Sequence, residues 1–274
     1  MLDISQPNIG SLPGLELSIV LDKILLFLFC SVRISAFVIS SPIFGAGYVI
    51  LPVKILFGMV LTLTVFQEQS AMLDIQKITS ALGVILIFKE VALGLSAGLV
   101  LTIWFSAASL AGEKIASTSG LAFAAQVDPN TGSSTPVISQ IFTLFLLVTF
   151  LAIDGHLIAI RTLLDSYEFI PIDSMPTLGI MIKSGIGAAG SMFLAATVIM
   201  LPVSVFLLMV NLSIGIMTRS APTLNLFSFG FPITLLGTFI FLYFSATSIG
   251  FAMSDLVDAA IQSMQDMIWG LNNG

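Results

Sequence analysis

The chain has 274 residues, of which 57% are hydrophobic and 9% charged, with a net charge of −6 and a mean hydropathy of +1.10. That is more apolar surface than a water-soluble fold of this length can hide, so its surroundings are expected to be lipid or partner protein. The basic residues stand apart from one another, which excludes a nucleic-acid-binding face or a polybasic lipid anchor.

A bilayer core of roughly 30 Å takes about 20 apolar residues of helix, and the chain has runs of that length rather than the short alternating segments of a barrel. The predicted class is all-α: a hydrophobic, membrane-associated, multi-helix subunit forming a single domain over residues 1–274. No basic signal region opens the sequence, so insertion is expected to rely on the apolar blocks themselves. Six blocks follow in chain order, at residues 17–39, 43–66, 82–110, 137–160, 178–217 and 224–251.

The first block carries Arg33 and the lone Cys30, whose simplest role is a buried side chain. Pro52 opens most of the second. The third contains Lys89 and Glu90, expensive in an apolar segment and therefore expected to face protein or water. Adjacent residues sit about 100° apart on a helix, so each is expected to find its partner elsewhere. Ion pairing between helices or subunits is one reading; a coupling site for protons or substrate is the other. Further along this block, Gly94 and Gly98 form a GxxxG that allows close helix approach, and Gly187 to Ser191 in the fifth block is similarly small.

Residues 111–135, AGEKIASTSGLAFAAQVDPNTGSST, form the most informative connection. The segment starts charged at Glu113 and Lys114, turns small and weakly apolar, and closes on the turn signal Asp128-Pro129. Irregular backbone at membrane depth is tolerated where it is buried in protein or lines a water-filled cavity. The segment is therefore either a re-entrant or plugging loop or an interfacial loop packed on the bundle.

Asp154-Gly155-His156 falls near the end of the fourth block, where a structural or interfacial histidine is the expectation. The fifth block exceeds one ordinary span, and Pro202 inside it predicts a kink or break; Pro232 invites a similar bend in the sixth. Residues 254–269 form an amphipathic tail helix. Leu256, Val257, Ala260, Ile261, Met264, Met267 and Ile268 lie on one face and Asp255, Asp258, Gln262 and Asp266 on the other. Its acidic face argues against anionic lipid and for docking on neighbouring protein.

Charge does not fix orientation. Lys23, Lys77, Arg161 and Lys183 fall on one side against Arg33, Lys54, Lys114 and Arg219 on the other. There is no serine nucleophile elbow, HExxH, CxxC or phosphate-cradling loop, so enzymatic activity and bound cofactors or metals are not expected.

Several local patterns together resemble the FliR family of flagellar biosynthetic proteins. They are Arg33 followed by Ser41-Pro42-Ile43-Phe44-Gly45; Ala111-Gly112-Glu113 leading to Gly120-Leu121-Ala122 and Asp128-Pro129; Asp154-Gly155-His156 with Ser166 and Pro171; Asn211-Leu212-Ser213-Ile214-Gly215; and Thr218-Arg219-Ser220-Ala221-Pro222 through Phe227. Asp154 departs from the pattern, which would as readily carry Asn.

The resemblance implies a non-enzymatic subunit of a flagellar type III protein-export gate in the bacterial inner membrane, within the flagellar basal body. It implies FliP-like and FliQ-like hydrophobic partners in a helical hetero-oligomer, other export-apparatus proteins, and unfolded substrates in transit. A plug built from Gly112, Gly120, Leu121, Ala122, Phe123, Ala124 and Ala125 would close the channel, while Arg33, Lys89, Glu90 and Arg219 would serve as buried charges or subunit contacts. The alternatives are a secondary transporter or channel for a small solute, and a virulence-type export gate subunit.

Overall fold

The computed structural model describes residues 17–72, 78–121, 136–174, 178–221 and 229–272, and they are helical with short connections. Seven helices follow in order: α1 Leu17–Ser40, α2 Leu51–Met72, α3 Ala81–Thr118, α4 Val137–Ala152, α5 Gly155–Phe169, α6 Leu178–Ser220 and α7 Phe231–Asn272. Five are long and apolar enough to cross a membrane, and α4 with α5 makes a sixth candidate if the bent pair counts as one span.

The chain divides into two compact units. The first comprises Met1–Gly98, Leu163–Thr177 and Leu271–Gly274, and the second Leu99–Thr162 and Leu178–Gly270. In the first unit, α1 packs on the N-terminal half of α3 because glycine removes the obstacle. A Cβ on Gly94 would lie 2.1 Å from the Arg33 carbonyl oxygen, and one on Gly98 would lie 2.0 Å from Ser40 Oγ. The GxxxG therefore has its partner inside the chain. A Cβ on Gly187 or Gly190 of α6 would meet nothing within 4 Å among the described residues, so the glycine side of the second small-residue patch is open, whereas Ala188 within it is buried.

Several boundaries depart from the sequence expectations. The fourth block is two helices bent by 67° rather than one. At the break Asp154 adopts φ 58°, left-handed backbone that Asp and Asn tolerate better than most residues, which also explains why either suits this position. The Asp154 carbonyl then accepts from the Leu157 and Ile158 amides and starts α5. Gly155 completes the corner, since a Cβ there would sit 2.7 Å from the Phe150 ring.

Pro202 lies inside α6, which continues unbroken past it. Pro232 does not bend a helix, because α7 begins at Phe231 and the proline occupies its first turn, where a missing N–H costs nothing. The tail is the end of the 42-residue α7 and no separate helix. Its predicted apolar face is buried within this chain, whereas docking on a neighbouring protein was the expectation; Asp255, Asp258, Gln262 and Asp266 are exposed as the pattern requires.

At about 1.5 Å per residue, α6 and α7 are each roughly 63 Å long, about twice the bilayer core, so neither is a simple perpendicular span. Their outward faces are apolar, as Leu194, Leu208 and Leu212 on α6 and Leu236, Tyr243 and Phe244 on α7 are exposed.

Candidate functional site

Two places gather the polar chemistry, one in each unit. In the first unit Arg33 of α1 is 1% exposed and Glu90 of α3 is 0% exposed. The guanidinium grips the carboxylate with both ends of its fork, Nε donating to Glu90 Oε2 at 2.7 Å and Nη2 to Oε1 at 2.9 Å. Nη1 donates to the carbonyl and hydroxyl oxygens of Ser166, at 2.9 and 3.0 Å, and Nη2 also donates to the Ile170 carbonyl at 2.9 Å. Every guanidinium N–H is thereby matched to an acceptor. Tyr167 lays its ring 4.1 Å from Arg33 Cζ and donates its hydroxyl to the Cys30 carbonyl at 2.7 Å.

Lys89 completes the cluster. Its ammonium donates to the carbonyls of Pro171 and Ile172, both at 2.8 Å, and lies 3.1 Å from Glu90 Oε1. Each residue therefore has partners elsewhere, Glu90 in Arg33 and Lys89 in the two carbonyls, and the two also meet each other, which their helical offset did not lead one to expect. The 100° offset applies where the side chains leave the helix; the four-carbon lysine stem reaches back to the carboxylate.

Two cations share one carboxylate, and carbonyls at and just beyond the C-terminal end of α5 supply the remaining negative charge. That end exposes carbonyls with no intrahelical partner and carries the negative pole of the helix dipole, so cations bind it well. Ser166 and Pro171 were legible as motif positions; Tyr167 carried no signal in the sequence beyond its type.

In the second unit, α3 continues helically to Thr118, so residues 111–118 are not the start of a loop as expected. Gly112 is buried at a helix crossing, where a Cβ would come 2.5 Å from Ser139 Cα. Beside it the Ser109 and Ser139 hydroxyls meet at 2.9 Å, and Ser139 Oγ is 3.0 Å from the Ser109 carbonyl. α3 ends through Gly120, at φ +79°. Side chains from two other helices meet that end: Asn211 Nδ2 of α6 donates to the Thr118 carbonyl at 3.2 Å, and Thr234 Oγ1 of α7, whose single proton is shared with the nearer Phe231 and Gly230 carbonyls, lies 3.4 Å from the Ser119 carbonyl.

Leu121 is half-buried beyond this anchor. Ala122, Phe123, Ala124, Ala125, Asp128 and Pro129 lie outside the described residues. Arg219 is exposed in the last turn of α6, so burial within the chain is not its role. His156 lies in α5 with its Nδ1 buried and, among the described residues, without a hydrogen-bond partner. Among the described residues no group of three or more His, Cys, Asp and Glu side chains is placed to hold a metal ion.

Long apolar helices, a sealed ionic cluster and a helix end clamped at the root of a connection define a membrane-embedded, all-α protein. The chain belongs to the bacterial export proteins, family 1, whose sequence profile matches residues 24–260. Similar proteins include the flagellar biosynthetic protein FliR of Pectobacterium carotovorum subsp. carotovorum, 35% identical over 204 residues that cover 74% of this chain and 77% of the relative. FliR of Escherichia coli (strain K12) is 30% identical over 203 residues, 74% of this chain and 77% of the relative. FliR of Bacillus subtilis (strain 168) is 28% identical over 258 residues, 91% of this chain and 96% of the relative.

Proposed function

We propose that this chain is a non-enzymatic subunit of the flagellar type III protein-export gate of the bacterial inner membrane, and that it helps form and close the channel through which unfolded flagellar proteins pass. Family membership across residues 24–260 carries the reading. The apolar faces of α2, α6 and α7 agree with it, because they need lipid or hydrophobic partner subunits against them. FliP-like and FliQ-like proteins are the proposed partners in a helical hetero-oligomer, with Arg219, exposed at the end of α6, available to pair with one of them.

Residues 120–125, rooted where Asn211 and Thr234 meet the end of α3, are the proposed plug. A channel passing many unrelated unfolded chains closes best by weakly apolar, small-residue packing that makes no specific pocket. Arg33, Lys89 and Glu90 are given a structural role, supported by the donors of Arg33 and Lys89 being matched to acceptors of this chain.

Purification of the chain in mild detergent from cells making the whole export apparatus tests this reading. A stable complex with two other small hydrophobic proteins is expected. Recovery of the chain alone, active in liposomes as a solute transporter dependent on Lys89, would overturn it.

A further inference from the structure

Besides the sealed ionic cluster, the first unit carries a narrow groove of about 190 Å³ between α1 and α2. Its floor is low because small residues face each other there. Ser31 and Ser35 stand on α1, and Gly58 of α2 is so placed that a Cβ would lie 3.5 Å from Ser35 Oγ. The rims are taller and apolar, with Leu28 and Ile39 on α1 and Leu51, Ile55 and Met59 on α2, all of them exposed. From Phe27 to Ile39 the groove follows α1 for about 18 Å. Ser31 Oγ donates to the Leu28 carbonyl of its own helix at 2.7 Å, so this hydroxyl asks nothing of a guest.

Anything apolar could cover such a groove, and its single charge narrows the choice. Lys54, in the first turn of α2, lines one end. It is half-buried, and its ammonium donates to the Gly45 carbonyl at 2.8 Å, one acceptor for a group with three protons to give. Among the described residues no carboxylate pairs with it. The sequence explains why: no acidic residue occurs between Asp22 and Glu68. Glu68 lies about 21 Å further along α2, at the opposite end of the helix, where it lines a cleft with Glu168 and Asp173. Glu90 is held by Arg33 and Lys89. The positive pole of the α2 dipole adds to the lysine charge, because the N–H groups of a first turn lack intrahelical partners. Tyr48, 66% exposed in the connection just before α2, is the amphipathic residue type that sits at the level of lipid headgroups.

We infer that the groove between α1 and α2 holds one acyl chain of an anionic phospholipid, whose phosphate sits on Lys54 at the start of α2. The volume is below the roughly 300–1,000 Å³ of pockets that enclose whole ligands, which suits one chain of a molecule whose remainder stays in the bilayer. Features along the groove also follow the order of parts in a phospholipid. Tyr48 and Lys54 mark the headgroup level, Ile39 and Ile55 come next, and Leu28 and Met59 lie deepest. A partner helix could rest on the rims, but it would meet Lys54 only by bringing a carboxylate to that one point. A phospholipid carries the anion and the hydrocarbon in one molecule, with the lysine stem lying along apolar surface and its head at the interface.

The inference requires only that this unit lies in a membrane, so it stands apart from the proposed gate. The test uses membranes containing the full chain with its natural partners. They are supplied with phosphatidylglycerol bearing a photoreactive group on one acyl chain, or with phosphatidylcholine bearing the same chain, and labelled peptides are identified by mass spectrometry. Phosphatidylglycerol should label residues 27–39 and 51–59 about fivefold more than phosphatidylcholine, a factor equivalent to about 1 kcal/mol for one basic residue at a membrane surface. Lys54→Gln should abolish that preference and Lys54→Arg should keep it. Ser31→Phe, which fills the floor, should lower labelling by both lipids at those residues; if that variant does not accumulate, Ser35→Leu fills the same floor. Equal labelling by the two lipids, a preference that survives Lys54→Gln, or labelling indifferent to a filled floor would each overturn the site. Loss of the preference on adding inorganic phosphate would make this a site for free anions, and labelling of the isolated chain but not of the complex would give the groove to a partner subunit; either result also overturns the lipid site. Absence of the two hydrophobic subunits, with the lipid preference intact, would sink the proposed gate and leave the site standing.

Discussion

Arg33 and Lys89 place two cations against one carboxylate in segments apolar enough to cross a membrane, so the cluster holds only as a whole. Removing Glu90 leaves two buried cations without a counter-charge, at a cost of about 3–5 kcal/mol. Glu90→Ala should therefore lower the stability of the detergent-solubilised protein by an amount in that range. Arg33→Lys should come close to it despite keeping the charge, because an ammonium cannot grip both Glu90 oxygens and still reach the Ser166 and Ile170 carbonyls. Reversible denaturation followed by circular dichroism would measure both, and an Arg33→Lys protein as stable as the parent would show that the fork geometry does not matter. Sequence alone marked Arg33, Lys89 and Glu90 as costly, since charges in apolar runs are conspicuous. Their partners stayed hidden because most of the acceptors are backbone carbonyls around the end of α5, which no residue type advertises.

At the scale of the helix, glycine separates the contacts made inside the chain from those reserved for something outside it. Gly112→Val drives a side chain into the backbone of Ser139, and overpacking of this kind costs about 1–3 kcal/mol. Gly187→Ala meets open space and gains helix propensity of roughly 0.8–1.0 kcal/mol. Denaturation of the isolated chain should show loss for the first and no loss for the second. If Gly187→Ala nonetheless reduces recovery of the assembled complex, that stripe faces a partner helix; unchanged assembly would assign it to lipid.

The clamp on the end of α3 gives a further expectation. Deleting residues 121–125 leaves Asn211, Thr234 and Gly120 in place, so complexes should still assemble but conduct ions across the membrane. Ion flux unchanged in assembled complexes would remove the plug from the proposed mechanism.

The elements themselves were readable wherever length and hydropathy decided the matter, and misread where a single backbone torsion did. Asp154 splits the fourth block through its φ of 58°, and the Asp154-Gly155 pair that permits the 67° bend is outweighed, when the block is read by hydropathy, by the apolar run around it. Residues 111–118 read as loop because they carry Glu113, Lys114, Ser117 and Thr118. Yet Ala111, Gly112, Ile115 and Ala116 are buried on one helical stripe while Glu113, Lys114 and Ser117 are exposed. An amphipathic turn can end a helix whose earlier turns are apolar all round, and composition averaged over the segment conceals it.

Considered as a whole molecule, the chain buries three charges, Arg33, Lys89 and Glu90, and exposes many large apolar and aromatic side chains, which a soluble protein of this size does not do. Tyr243 is 79% exposed and Phe244 76% exposed on α7, within a helix too long for one upright span. Two environments can cover such a face, lipid or protein, and the proposed hetero-oligomer requires that part of it be protein. Cys30 is buried, so substitution with serine leaves a background for introducing single labels at positions 194, 212, 243 and 244. In the isolated chain in bilayers, nitroxides at all four positions should collide freely with oxygen, which concentrates in the hydrocarbon. In the assembled complex, at least the α7 pair should lose that access, because a 42-residue apolar helix set within a ring of other helices exchanges lipid for neighbours. Equal oxygen access at all four positions before and after assembly would mean that these faces belong to lipid, and the chain would then have to meet its partners through its polar helix ends.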